Sequence, residues 1–252
     1  MTEHRYKAIA IDLFNTLVKW DPTSLPAHEW RGRQINSTIP LLMPHLRENF
    51  RGWNHDDQWL ETYYAVTMEI AAERERHGVE VTCYERFFRT LNRIALTPEV
   101  ELDELAEIMR RTHMRAVRRV TSTPAANAEA VRKMAQRHRM ALLSNFDDSQ
   151  TGREIVADSG VGHLFEVVVI SADVAMRKPN PAIFKHLLDA MGLRPHEMLF
   201  VGDTPMEDVL GAQRAGIPIA WLSHGRTELP RGVEPPDIVV ETLADLPAVL
   251  GL

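Results

Sequence analysis

The second half of the chain alternates two textures, and few folds accommodate that alternation. "MALLSNF" (140–146), "FEVVVIS" (165–171), "MLFVGD" (198–203) and "IPIAWLS" (217–223) are short apolar runs rich in β-branched residues. Around them lie "AANAEAVRKMAQRH", "QTGREIVADSG", "NPAIFKHLLDAMG" and "MEDVLGAQRAG", all with helical spacing and mostly ending in Gly, a usual helix stop. A continuous apolar run reads as a strand buried on both faces. Helices between consecutive strands impose parallel pairing. The pattern predicts an α/β fold: a mostly parallel sheet with helices on both faces, a three-layer α/β/α arrangement. "IAIDLF" (9–14) has the same buried-strand character and is expected to join the sheet.

Residues 20–120 differ. "DDQWLETYYAVTMEIAAERERHG" (56–78), "TCYERFFRTLNRIAL" (82–96) and "ELDELAEIMRRTHMRAVRRV" (101–120) are helical in period. A further helix is expected over 27–48, broken by Pro40 and Pro44. No segment there reads as a strand. The simplest organisation is a core of residues 1–19 and 121–252, interrupted after its first strand by an all-helical insertion at 20–120. A polar loop, "SHGRTELPRGVEPPD" (223–237), leads into a last strand within "IVVETL".

A chain of 252 residues supports a sizeable core. Its net charge of −6 argues against general attraction to nucleic acid or acidic membranes. Cys83 is the only cysteine, which rules out an intrachain disulfide and gives no sign of an oxidising compartment. The apolar run after the N-terminal charges is too short for a signal peptide, and no run approaches a membrane span. These features lead to the expectation of a cytoplasmic protein whose partner is a small molecule. They leave the oligomeric state open.

In open parallel sheets, ligands bind at the carboxyl ends of the strands. Asp12 ends the first strand, with Thr16 just after; Ser144 and Asn145 end the second; Asp203 ends the fourth, with Asp208 one turn on. Lys178 precedes a helix in "RKPNPAIF". Singly, each has a bland reading: an N-cap, a turn residue, a solvated lysine. Together they place three carboxylates, an amine and a hydroxyl along one sheet edge. That set suits phosphoryl transfer. A carboxylate attacks phosphorus, a hard cation such as Mg²⁺ takes oxygen ligands, and lysine neutralises the equatorial oxygens.

These motifs resemble those of the haloacid dehalogenase (HAD) superfamily. "DLFNTL" matches the first motif, D-x-D-x-T-L, except at its third position, and "LLSN" matches the second. "RKPNPAIF" matches the lysine motif, and "VGDTPMEDVLGAQRAG" the fourth. The resemblance implies a Rossmann-like core with a helical C1 cap inserted after the first strand. It implies Asp12 as nucleophile and Mg²⁺ held by Asp12, Asp203 and the backbone carbonyl of Phe14, with Asp208 in support. It further implies that Thr16, Ser144 and Asn145 contact the transferring group, and that Lys178 stabilises both nucleophile and group. The substrate would be a small phosphorylated metabolite.

Phe14 departs from that pattern. The family's phosphatases have Asp there, protonating the leaving oxygen and then activating water. General acid–base help is worth about 10²–10⁴-fold. Three readings follow: a phosphatase lacking its usual acid, a carbon–halogen hydrolase of the 2-haloacid dehalogenase kind, or a catalytically impaired ligand-binding protein. Family dehalogenases carry an aromatic residue at this position and need no metal, but they resemble this chain poorly at Asp203 and Pro205. His28 and Glu29 lie near enough in sequence to suggest a replacement acid.

The five arginines of "MRRTHMRAVRRV" (109–120) read as a solvated helix face, the alternative being an anion clamp. The eleven histidines show no metal-ligand spacing. Trp20, Trp30, Trp53 and Trp59 read as packing residues, although Trp20 stands close enough to the first motif to wall the site.

Overall fold

The structure, a computed structural model, describes residues 6–94, 96 and 98–252. Met1–Arg5, part of the segment on which the signal-peptide expectation rests, lie outside these, as does Ala95 of the expected 82–96 helix. The chain divides into two compact units. One comprises the chain through Trp20 and Ser122–Leu252, the other Asp21–Thr121.

The first unit is built on six strands: β1 (Ala8–Ile11), β2 (Arg139–Ser144), β3 (Phe165–Ile170), β4 (Met198–Gly202), β5 (Ile219–Leu222) and β6 (Ile238–Val240). They pair in the order β6-β5-β4-β1-β2-β3, every neighbour parallel. Ile11 is in register with Leu142 on one side and Val201 on the other, so β1 ends two residues short of β2 and one short of β4.

Alternation along β1 sends Ile9 and Ile11 into one apolar cluster and Ala8 and Ala10 into another. The first cluster is covered by α5 (Ala125–Ala135) and α6 (Ser149–Asp158), the second by α7 (Pro181–Met191) and α8 (Leu210–Arg214). Each fully buried large aliphatic side chain contributes about 1.5–3 kcal/mol, so this double burial is what holds the sheet. The strand order reverses beside β1, which puts the ligand-binding crevice at the ends of β4, β1 and β2.

The second unit holds α1 (Ile39–Asn49), α2 (Asp56–His77), α3 (Cys83–Ile94) and α4 (Leu102–Arg119). Here the structure corrects two expectations. Residues 27–36 are not helical: Ala27–Trp30 and Arg33–Asn36 form an antiparallel hairpin. Its two-residue turn has Arg31 at φ 49° and Gly32 at φ 73°, the double left-handed turn that matches strand twist. The Asn36 amide fixes the hairpin's end by donating to the carbonyls of Thr23 and Leu25.

Nor does Pro44 break α1. Pro40 sits in the first turn, where no N–H partner is needed, and Pro44 forfeits only one bond after it.

Trp30 stacks on Tyr64, Trp53 packs at a tilt against Phe50, and Trp59 is fully buried, so these three are packing residues of this unit. Arg110 and Arg111 both pair with Glu107 on their own helix; Arg111 is exposed, whereas the Arg110 side chain is largely covered. Among the described residues no helix is long and apolar enough to cross a membrane.

Candidate active site

Asp12, one residue beyond β1, has its N–H bonded to the Val201 carbonyl, which ties the start of the loop to β4. The loop then turns sharply. Asn15 is left-handed (φ 59°), Asn15 N–H reaches the Val18 carbonyl at 2.6 Å, and the Asn127 amide donates to the carbonyls of Thr16 and Leu17. Thr16 and Ser144 are both buried, and neither hydroxyl has a hydrogen-bond partner among the described residues. A buried unpaired hydroxyl costs about 1–3 kcal/mol. Two of them at adjacent strand ends suit the polar atoms of a ligand.

Lys178 is 2% exposed, and its ammonium has three acceptors: Asp12 Oδ1 at 2.6 Å, Asp208 Oδ1 at 2.7 Å and the Leu143 carbonyl at 3.2 Å. Asn145 holds this lysine in place. Its Oδ1 accepts from Lys178 N–H at 2.8 Å and its Nδ2 donates to the Lys178 carbonyl at 3.0 Å. The side chain expected to touch the transferring group is thus engaged at both ends by the Lys178 peptide. An Arg177–Glu207 ion pair ties the same loop to the turn that carries Asp208.

That turn differs from the plain helix its sequence suggests. Pro205–Val209 forms a π-turn before α8, closed by Leu210 N–H on the Pro205 carbonyl. It directs Asp208 inward, where Oδ2 accepts from Thr204 N–H at 2.9 Å. The approach is close: a Cβ on Gly202 would lie 2.4 Å from Asp208 Cγ. Lys178 and Thr204 hold both carboxyl oxygens, so the carboxyl has nowhere to go. Gly202→Ala is expected to destabilise the fold by about 1–3 kcal/mol, measurable as a lower urea midpoint. An unchanged midpoint would show that the turn yields.

Asp203 completes the cluster. Its carbonyl accepts from Trp221 Nε1 at 3.0 Å and Arg226 Nη2 at 2.6 Å, and Arg226 lies 3.5 Å from its Oδ2. Carboxylate oxygens of Asp12, Asp203 and Asp208 lie within 4.8 Å of one another. Three buried acids offering only oxygen donors fit a hard divalent cation. A cavity of about 600 Å³, within the usual range for small-molecule sites, opens beside Asp203 and is bordered by Asn15, Lys19, His224 and Arg226.

The electrostatics follow from burial. Burial pushes the Asp12 carboxyl up to about 7, opposed by Lys178 and aided by the charges of Asp208 and Asp203. Asp208 is raised for the same leading reason. Burial alone would lower Lys178, but Asp12 and Asp208 outweigh it and hold the ammonium above the usual lysine range.

Sequence reasoning missed Phe146, Asn127, Trp221 and Arg226. Phe146 adjoins the Ser-Asn pair and could have been flagged; the other three act across the fold and leave no local signal.

Residues 6–216 match the family model described as haloacid dehalogenase-like hydrolase. The chain belongs to that family. It is 36% identical to a phosphoserine phosphatase of Thermus thermophilus over 165 residues, 64% of this chain and 63% of that protein. It is 34% identical to N-acylneuraminate-9-phosphatase of Mus musculus over 114 residues, 44% of this chain and 45% of that one. The matched region thus spans less than two thirds of either relative. Its fold is similar to that of a 2-haloacid dehalogenase from Pseudomonas syringae pv. Tomato DC3000, with a TM-score of 0.71, 19% identity and 98% of each chain covered. At that identity the likeness shows the HAD fold alone.

Proposed function

We propose that the protein is a Mg²⁺-dependent phosphatase that hydrolyses a small phosphorylated metabolite through an aspartyl-phosphate on Asp12. The observation that carries this reading is the convergence of Asp12, Asp203 and Asp208 around Lys178. A third acid would repel the carboxylate of a 2-haloacid, whereas it helps to hold a cation. The relatives that are phosphatases point the same way.

The three carboxylates and the Phe14 carbonyl would hold Mg²⁺, which offsets repulsion between a carboxylate and a phosphate dianion. Lys178 fixes Asp12 through Oδ1, and the Thr16 and Ser144 hydroxyls receive phosphate oxygens. An Asp12 oxygen bonds to phosphorus and the ester P–O bond breaks. The departing alkoxide takes its proton from water, because Phe14 has none to give. A water oxygen then attacks phosphorus, the Asp12–phosphorus bond breaks, and inorganic phosphate leaves with Asp12 restored. The helical unit, inserted just after the first motif, is assigned the cap role on that position. His28 is a poor replacement acid, since Tyr64 and Ser37 occupy both its ring nitrogens.

Phe14 favours carbon–halogen hydrolysis as the second reading. One experiment separates them: assay aryl, acyl and alkyl phosphates and 2-haloacids, with Mg²⁺ and with chelator. Phosphate release that chelator abolishes is expected. Chelator-insensitive halide release would establish the second reading, and silence on every substrate would indicate a binding protein.

The raised carboxyls also give a stability signature. Above about pH 4 the unfolded chain releases the Asp12 proton, while the cation-free folded state keeps it until about 7. Folded protein then binds more protons, so its stability falls as pH rises through that window. Mg²⁺ should therefore raise Tm more at pH 8 than at pH 5.5. An equal rise at both would show that the ion does not replace these protons.

A further inference from the structure

On the phosphatase reading, Asp12, Thr16, Ser144 and Lys178 serve the end of the substrate that is transferred. Beyond them stands Phe14, and its ring packs against Phe146 with centroids 5.0 Å apart at 48°. The two residues follow β1 and β2, neighbours in register, so both rings stand at the edge that Asp12 and Ser144 share. Each ring rests on the apolar core and is only partly buried, so part of its apolar surface is left uncovered within this unit.

This wall is built in advance. Phe146 N–H donates to Ser171 Oγ at 2.8 Å, and that hydroxyl donates back to the Phe146 carbonyl at 3.1 Å. A Cβ on Gly152 would lie 3.2 Å from Phe146 Cδ1, so α6 presses directly on the ring. Phe14 is fixed by the left-handed Asn15 and by its bridge to Val18. A rigid aromatic pair binds an apolar group without an ordering cost, and a third ring adds offset or edge contacts.

We propose that Phe14 and Phe146 form a subsite for the alcohol half of the substrate, and that the natural substrates are phosphate monoesters of aromatic or otherwise apolar alcohols. Phe146 is then a specificity-determining residue. The inference rests on the phosphatase reading and names its substrate class.

The test must separate apolar binding from leaving-group acidity. Benzyl phosphate and 2-hydroxyethyl phosphate suit it, because their alcohols differ little in acidity. The wild type, assayed with Mg²⁺, should prefer benzyl phosphate by about fivefold or more in kcat/KM, through a lower KM. Phe146→Ala should erase most of that preference. Phe146→Leu, which keeps bulk for folding but lacks ring faces, should reduce it. A wild type without preference, or a preference intact in both variants, would overturn the subsite while the phosphatase reading stood. Hydrolysis of neither these esters nor any aryl phosphate would overturn both.

Discussion

Asp12→Asn is expected to reduce phosphate release by about 10⁴-fold or more, while the protein folds as well as the wild type or better. The catalytic half follows from chemistry. An amide oxygen does not form the acyl phosphate, and the other two carboxylates of the cluster are engaged elsewhere. Asp208 is held by Lys178 and Thr204, and Asp203 by the groups around its carbonyl. The stability half follows from charge. Burial already disfavours ionised Asp12, and the Asn amide oxygen still accepts from Lys178. One negative charge fewer should relieve the cation-free cluster, so Tm without Mg²⁺ should match or exceed that of the wild type. Rapid-quench labelling with ³²P-substrate should show a labelled wild-type protein and an unlabelled variant. Undiminished turnover in the variant would exclude a covalent step through Asp12.

The core was legible because its strands are buried on both faces. Their apolar runs stand out, and Asp12, Asn145 and Asp203 each fall just past the end of one. Legibility failed where conformation depends on a partner distant in sequence. The hairpin at 27–36 hid because its turn places an arginine where Asn or Asp is usual, in strands poor in β-branched residues. Asn145 reads as turn chemistry, and its grip on the Lys178 peptide, 33 residues away, exists only once β2 and the lysine loop meet. The π-turn hid behind Pro205, which looks like an ordinary helix start. Phe14 was visible as an anomaly, but the second ring that gives it a context comes from the next strand.

Replacing that anomaly is the other large test. Phe14→Asp is expected to raise turnover of alkyl phosphates by about 10-fold or more, the low end of the range for general acid–base help. The gain should concentrate where the leaving group is poor. On the proposed mechanism the wild-type alkoxide departs without a proton from position 14, so rate should fall steeply as the alcohol becomes less acidic, and aryl and acyl phosphates should react fastest. An acid at position 14 donates that proton, and the dependence should flatten. The same carboxylate then activates water, so any aspartyl-phosphate that accumulates in the wild type should clear faster. Two features of the site limit the gain. The position was shaped around a ring packed on Phe146, so the new carboxylate is not aimed by its surroundings. Losing that contact also removes apolar packing, so the variant should unfold at a lower temperature. The apolar neighbours favour the protonated form, which suits an acid acting near neutral pH. If the wild type hydrolyses alkyl and aryl esters at equal rates and Phe14→Asp brings no gain, another residue already supplies the proton, and Phe14 does not deprive the site of an acid.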